Sequence, residues 1–216
     1  MSDIVCLSHL RWHFVYQRPQ HLMSRFGRRG RVFFIEEPVR GAEYPYLDTS
    51  SGGEGVEVVL VHVPDDMDER EVEATQRALV TDYLRGQEID SPVFWYYTPM
   101  ALGWTSGIEP ECIIYDCMDE LAAFKDAPAE LRRREQLLLE GADLVFTGGE
   151  SLYEVKRDAH PSVHCFPSSV DVEHFRQARG EAVDPEDQKD IPHPRLGFFG
   201  VLDERMDVLE RSVPRH

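Results

Sequence analysis

Short apolar runs rich in β-branched and aromatic residues alternate along this chain with longer stretches whose apolar positions recur every three or four residues. That alternation predicts βαβ units and a mainly parallel sheet. Strand character is clearest at residues 4–7, 31–35, 56–63, 93–97, 112–115, 144–147 and 163–166. Between them, Pro19 opens a helix whose Leu22, Met23 and Phe26 share a face, and Pro128 opens another carrying Leu131, Leu137 and Leu138. A third helix is predicted from Ser151, where Ser151-Leu152-Tyr153-Glu154 has capping-box spacing. Seven strands with interleaved helices make one α/β, Rossmann-like, doubly wound domain, with no internal repeat.

The pattern changes after residue 170. Residues 171–194 are acidic, carry Pro185, Pro192 and Pro194, and have few apolar side chains, which reads as a linker. Leu196-Gly197-Phe198-Phe199-Gly200 then restarts a strand and a glycine turn, as the first βα unit of a fresh sheet does. A domain with its own core needs on the order of 100 residues. The expected organisation is therefore a domain at 1–170, a linker at 171–194 and the truncated start of a second domain at 195–216. Leu196, Phe198 and Phe199 would need cover there, so self-association through the incomplete second domain is expected.

Charge narrows the partners. Forty acidic against 23 basic residues leave a net charge of −17, a field that repels phosphate backbones and anionic surfaces, so no nucleic-acid partner is expected. Acids cluster at residues 65–73 and 181–190, each a solvated loop or helix face. No apolar run reaches the roughly 20 residues a membrane span requires, and no signal-peptide pattern opens the chain, which reads as cytoplasmic. Cys6, Cys112, Cys117 and Cys165 lie in or beside apolar runs without zinc-like spacing, and are expected as buried thiols.

In an open parallel sheet, ligands gather beyond the carboxyl ends of the strands, so residues just after each strand carry the candidate chemistry. The loop after the first strand holds Trp12, His13, Phe14, Tyr16, Gln17 and Arg18, mixing ring faces with hydrogen-bonding tips in the way that suits a carbohydrate. The plainer alternative is that its rings pack over the sheet edge while His13 and Gln17 cap the next helix. His9 and His13 have helical i, i+4 spacing but no third ligand, so no metal is expected. Asp116, Asp119 and Glu120 follow the fifth predicted strand, where carboxylates bind sugar hydroxyls or accept a proton from one. Asp116 is the candidate catalytic residue, and for Asp119 and Glu120 the alternative is capping of the following helix. Gly148 and Gly149 precede a helix start and allow close backbone approach. The first βα turn lacks G-x-G-x-x-G, which sets aside a nucleotide-dependent dehydrogenase.

Taken in order, these residues resemble a known family. Phe166-Pro167-Ser168-Ser169-Val170-Asp171 with Phe175 resembles the "PNGVD…F" element that closes the N-terminal domain of GT-B glycosyltransferases, especially glycosyltransferase family 4. Phe199-Gly200-Val201-Leu202 resembles the "GxL" turn that opens their nucleotide-sugar domain, and residues 12–22 and 115–120 resemble a bacterial subgroup. The resemblance runs over residues 4–207. It implies the N-terminal, acceptor-side half of a GT-B fold, with a nucleotide-diphosphate sugar as co-substrate, no other cofactor, and a glycan, lipid-linked or small-molecule acceptor. Trp12, His13, Gln17, Arg18, Asp119, Glu120, Gly148, Gly149, Ser168 and Ser169 would be substrate-binding, and Gly200 and Arg205 would lie on the donor diphosphate side. Val201 stands where the family often has an Arg. The paired-glutamate motif that holds the donor is not among these 216 residues, so weak transfer by the chain alone is expected. The alternative is a non-catalytic glycan-binding or regulatory module derived from such an enzyme.

Overall fold

A computed structural model describes residues 2–124, 127–180, 183–195 and 197. The chain divides into two compact units, Met1–Ser169 and Val170–His216. The first unit holds a nine-stranded sheet: β1 (Ile4–Ser8), β2 (Val32–Glu36), β3 (Val39–Arg40), β4 (Tyr46–Gly53), β5 (Val56–Val63), β6 (Val93–Tyr96), β7 (Cys112–Cys117), β8 (Leu144–Thr147) and β9 (Val163–Cys165). Its spatial order is β3-β5-β2-β1-β6-β7-β8-β9, with β4 on the outer side of β5. Every pairing is parallel except β4 with β5.

All seven predicted strands are present, two with the predicted bounds and five with an end shifted by one or two residues. Val5, Leu7, Phe34 and Ile35 are at most 1% exposed, because helices cover both faces of the central strands. Burying each such side chain contributes about 1.5–3 kcal/mol, which is why these strands read as unbroken apolar runs. β3 and β4 escaped prediction for the opposite reason. β3 has two residues, and most of β4 (YLDTSSGG) is exposed, so neither buries an apolar row that a sequence pattern records.

Helices α1 (Arg18–Gly27), α2 (Glu69–Gly86), α3 (Leu102–Thr105), α4 (Glu130–Gly141) and α5 (Glu150–Lys156) accompany the sheet. One core lies on the face covered by α2 and α4, with Val72, Val80, Leu84 and Leu138 packed on Val5, Leu7 and Val59. The other lies under α1, where Met23 meets Cys6, Phe34, Trp95 and Tyr97. The acidic run before α2 is a built helix start: Asp68 accepts from the amides of Arg70 and Glu71, and Glu71 accepts from the Asp68 amide at 2.8 Å. Two predicted helix starts need correction. The Pro128 helix begins at Glu130, and the Ser151 capping box does not form, because Gly149 is the flanking residue and Ser151 lies inside α5.

The second unit contains α6 (Val172–Arg176), capped by the Asp171 carboxylate, which accepts from the His174 amide at 3.1 Å, so the expected linker carries a short helix. The restarted strand at 196–200, apart from Gly197, and the residues expected to drive self-association lie outside the described residues.

The β4–β5 turn is fixed by a glycine for two reasons. Gly55 has φ +68°, and a β-carbon there would collide with the Gly27 carbonyl at the end of α1. Gly53 has φ +113° but faces open space. Gly55→Ala is therefore expected to destabilise the fold by about 2–5 kcal/mol, combining left-handed strain with overpacking, and Gly53→Ala by only about 1–2 kcal/mol. Urea denaturation of the two variants checks the difference.

Candidate functional site

Strand order reverses on either side of β1: the chain first adds β2 and β5 on one flank, then crosses to β6, β7, β8 and β9 on the other. The crevice beyond Ser8 and Tyr97 is therefore the topological switch point, where open α/β sheets hold ligands.

The loop between β1 and α1 is shaped by one side chain. Gln20, fully buried, donates from Nε2 to the carbonyls of Arg11, Trp12 and Val15 at 3.3, 3.2 and 2.9 Å, while its Oε1 accepts from the Gln17 amide at 3.0 Å. Glu36 at the end of β2 closes the other side, accepting from the Trp12 amide at 2.7 Å and from Arg11 at 2.9 Å. Trp12 is consequently a core residue, 7% exposed and edge-on to Phe34, rather than an open ring face for a sugar. His13 stays outside with its Nε2 3.4 Å from the Ser50 hydroxyl, and Phe14 and Tyr16 are 82% and 57% exposed.

Arg18, the first residue of α1, reaches across the strand ends to Asp116 on β7. Its Nε lies 3.0 Å from both carboxylate oxygens, a second nitrogen is 3.0 Å from Oδ1, and the third donates to the Phe166 carbonyl at 2.6 Å. Trp95 adds an indole N–H to Asp116 Oδ2 at 3.3 Å. Burial leaves the Asp116 carboxyl above its ordinary range, against the opposing pull of the Arg18 guanidinium and of the Tyr97 and Trp95 donors. Asp116 has no exposed surface and both its oxygens are engaged by Arg18 and Trp95, so in this arrangement it anchors the strand ends. Arg18 is likewise occupied as a positioning residue.

Glu120 is drawn into a second network. The Lys156 ammonium on α5, itself 6% exposed, lies 3.0 Å from Glu120 and 2.8 Å from Glu135, which also accepts from the Tyr115 hydroxyl. Burial works to lower the Lys156 pKa, but its two carboxylate partners outweigh that and raise it. Glu120 thus ties the segment after β7 to α5. Gly148 passes directly over the Met118 backbone, where a β-carbon would be 3.0 Å away, while Gly149 faces open space. Ser168 and Ser169 are exposed, and the Ser168 amide donates to the Gly148 carbonyl. Gly200 and Arg205 lie outside the described residues.

Two groups at the switch point drew no functional reading from sequence. His9 is mostly buried, its Nδ1 has no hydrogen-bond partner, and burial lowers its pKa against the opposing pull of Asp119 and the Tyr97 carbonyl. It is neutral at pH 7. On the α2 side, a cavity of about 280 Å³ opens between Ser8, Glu36, Gln76, Thr98 and Trp104. Burial drives the Cys6 thiol well up and that of Cys117 to about 12, so neither is a nucleophile at neutral pH. Cys112 and Cys165 are only partly buried, and all four cysteines are free.

No protein-family model matches the chain, and no curated protein matches it in sequence. Solved structures do. A sucrose-phosphate synthase from Thermosynechococcus elongatus superposes with a TM-score of 0.57 at 12% identity, over 83% of this chain and 52% of that one. This is the Rossmann-like lobe of a GT-B fold. The E. coli trehalose-6-phosphate protein solved with UDP-2-fluoro glucose gives 0.53 at 12% identity, over 83% and 52%. OtsA in its apo form gives 0.54 at 12% identity, over 87% and 53%. The chain thus spans about half the length of these neighbours.

Two outcomes follow. Arg18→Ala strands a buried carboxylate and is expected to cost about 3–5 kcal/mol, whereas the apolar double replacement Arg18→Met with Asp116→Leu is expected to recover most of that loss. Urea melts of the single and double variants test it. For His9, the folded pKa lies below the ordinary 6.5, so as pH falls through 6.5 the unfolded chain takes up a proton that the folded chain refuses. Stability is therefore lost on acidification, and His9→Asn is expected to lose less between pH 7.5 and 5 than the wild type, by chemical denaturation at each pH.

Proposed function

We propose that this chain forms the acceptor-side lobe of a glycosyltransferase that moves a sugar from a nucleotide-diphosphate sugar to a glycan, lipid-linked or small-molecule acceptor. The observation that carries the reading is the coincidence of a GT-B lobe with a switch-point crevice that has a rigid floor and an adaptable rim. The floor is the loop locked by Gln20 and Glu36 and the edge pinned by Arg18–Asp116. The rim offers Phe14 and Tyr16, with His13, from the β1–α1 loop, and Phe166, with Ser168 and Ser169, from the segment after β9, each of the three rings more than half exposed. Ring faces stack on the C–H surfaces of a sugar while hydroxyl and imidazole groups bond its oxygens. A neighbour solved with UDP-2-fluoro glucose supports a nucleotide sugar as donor.

The half of the donor machinery that the resemblance assigns to Gly200 and Arg205 remains part of this proposal. Stabilising a departing diphosphate depends on preorganised donors, typically worth several kcal/mol of barrier.

The test is direct. The purified chain is incubated with a panel of nucleotide-diphosphate sugars and simple saccharide acceptors, and transfer is followed by mass of the product. In parallel, saccharide binding is read by saturation-transfer NMR. The expected result is saccharide binding that weakens by about threefold to tenfold when Phe14 and Tyr16 are both replaced by Ser, from loss of stacking area. A folded chain that binds no saccharide and transfers no sugar from any donor overturns the proposal.

A further inference from the structure

The cavity on the α2 side of the switch point has a chemistry of its own. Four carboxylates line it, Glu36, Glu37, Glu69 and Glu73, against a single guanidinium, Arg40. That cation is already committed: Arg40 lies 2.6 Å from Glu69 and donates to the Met67 carbonyl at 2.7 Å. Glu36 is paired with Arg11 and Glu73 with Arg134, whose guanidinium also bonds the Met100 carbonyl, so neighbouring arginines are occupied as well. The remaining place where an anion would settle is the α2 N-terminus, and its first amides are taken by the Asp68 carboxylate. A phosphate entering here meets negative potential and no uncommitted cation.

The cavity nevertheless has unspent hydrogen-bonding capacity. Gln76 is 3% exposed and lines it, yet its side chain makes one contact among the described residues, Nε2 to the Glu36 carbonyl at 3.5 Å. That length is the outer limit of a hydrogen bond, and a buried amide left so poorly paired costs about 1–3 kcal/mol. Ser8 and Thr98, 2% and 3% exposed, lie in the same wall: the Ser8 hydroxyl is used on the Leu10 backbone, the Thr98 hydroxyl accepts from the Met100 amide at 3.3 Å and keeps its own proton to donate, and Met100 and Trp104 supply apolar surface. Buried amide and hydroxyl groups facing an apolar patch suit a polyol, and about 280 Å³ sits at the small end of ligand pockets, the size of one ring.

We infer that this cavity binds a small amine-bearing polyol, of the hexosamine type, and discriminates against phosphorylated sugars. The inference rests on the saccharide reading above and sharpens it: Glu37, the lining carboxylate with no ion pair among the described residues, receives the ammonium, Gln76 and Thr98 meet hydroxyls, and the Trp104 ring covers the apolar face. The named neighbours include a sucrose-phosphate synthase, so the direction of the preference separates this pocket from one built for a phosphate ester.

The experiment titrates the full 216-residue chain, labelled with nitrogen-15, with glucosamine, glucose and glucose-6-phosphate in turn, reading the Trp104 indole and Gln76 side-chain amide resonances. Glucosamine is expected to shift both and to bind about threefold to tenfold more tightly than glucose at low salt. That margin is expected to vanish near 1 M salt, where the Debye length is about 3 Å. Glucose-6-phosphate is expected to leave both resonances in place. Glu37→Gln with Glu69→Gln is expected to lower glucosamine affinity more than glucose affinity, and a retained indole spectrum shows that the variant is folded. Equal binding of glucose and glucosamine at low salt, tighter binding of glucose-6-phosphate, or shifts that spare Trp104 and Gln76 would overturn the inference. Sugar transfer observed without cavity shifts sinks this inference alone; a folded chain that binds none of the three sugars and transfers none sinks the glycosyltransferase reading with it.

Discussion

The structure around the switch point depends on one buried ion pair. Arg18 belongs to the first helix and Asp116 to the seventh strand, separated by 98 positions in sequence, and their contact sets where α1 begins relative to the strand ends. Desolvating two charges is costly, so the arrangement holds only because the geometry is bidentate, the Trp95 indole donates to the carboxylate and the remaining guanidinium N–H donates to the Phe166 carbonyl. The same contact places the segment after β9 beside the N-terminus of α1. Three parts of the chain that would otherwise close over the crevice independently are thereby held in one register.

Much of the fold is written in the alternation of apolar runs, because parallel strands covered on both faces leave no polar positions to blur the pattern. What escaped is what does not bury an apolar row: the exposed β4 hairpin and the two-residue β3. The site was legible by place and less so by role. Asp116, Arg18, Glu120 and Gly148 do lie at the carboxyl edge, yet Asp116 and Glu120 are consumed by cations whose positions in space no local spacing reveals. Trp12 reads as a ring available to a ligand, and only the β2 glutamate that holds its amide shows that it faces inward. Gln20 and Gln76 carry no sequence signal at all, since a glutamine in a helix is ordinarily a solvated residue.

Polar groups buried at the crevice fall into two kinds. Gln20, Glu36 and the Arg18–Asp116 pair have their hydrogen-bonding capacity filled by the protein and act as framework. His9 Nδ1 and the Gln76 amide do not, and both border the reversal in strand order. Native structures leave few buried groups in that state, and here the Tyr97 hydroxyl shares it at the crevice, with the His62, Tyr83 and Thr147 side chains elsewhere in the lobe. The chain's charge adds direction: with a net −17, carboxylates crowd the α2 side, whereas residues 4–35 contain six arginines and no acid.

The locking of the first loop by a single glutamine has an evolutionary consequence. Because Gln20 grips the backbone carbonyls of Arg11, Trp12 and Val15 and not their side chains, the loop's path rests mainly on its backbone, with His13 and Tyr16 adding side-chain contacts to Ser50 and Ser24. Such a tip tolerates substitution while its path through space is kept, so descendants of this lobe are free to vary what they grasp without refolding the hand that grasps it.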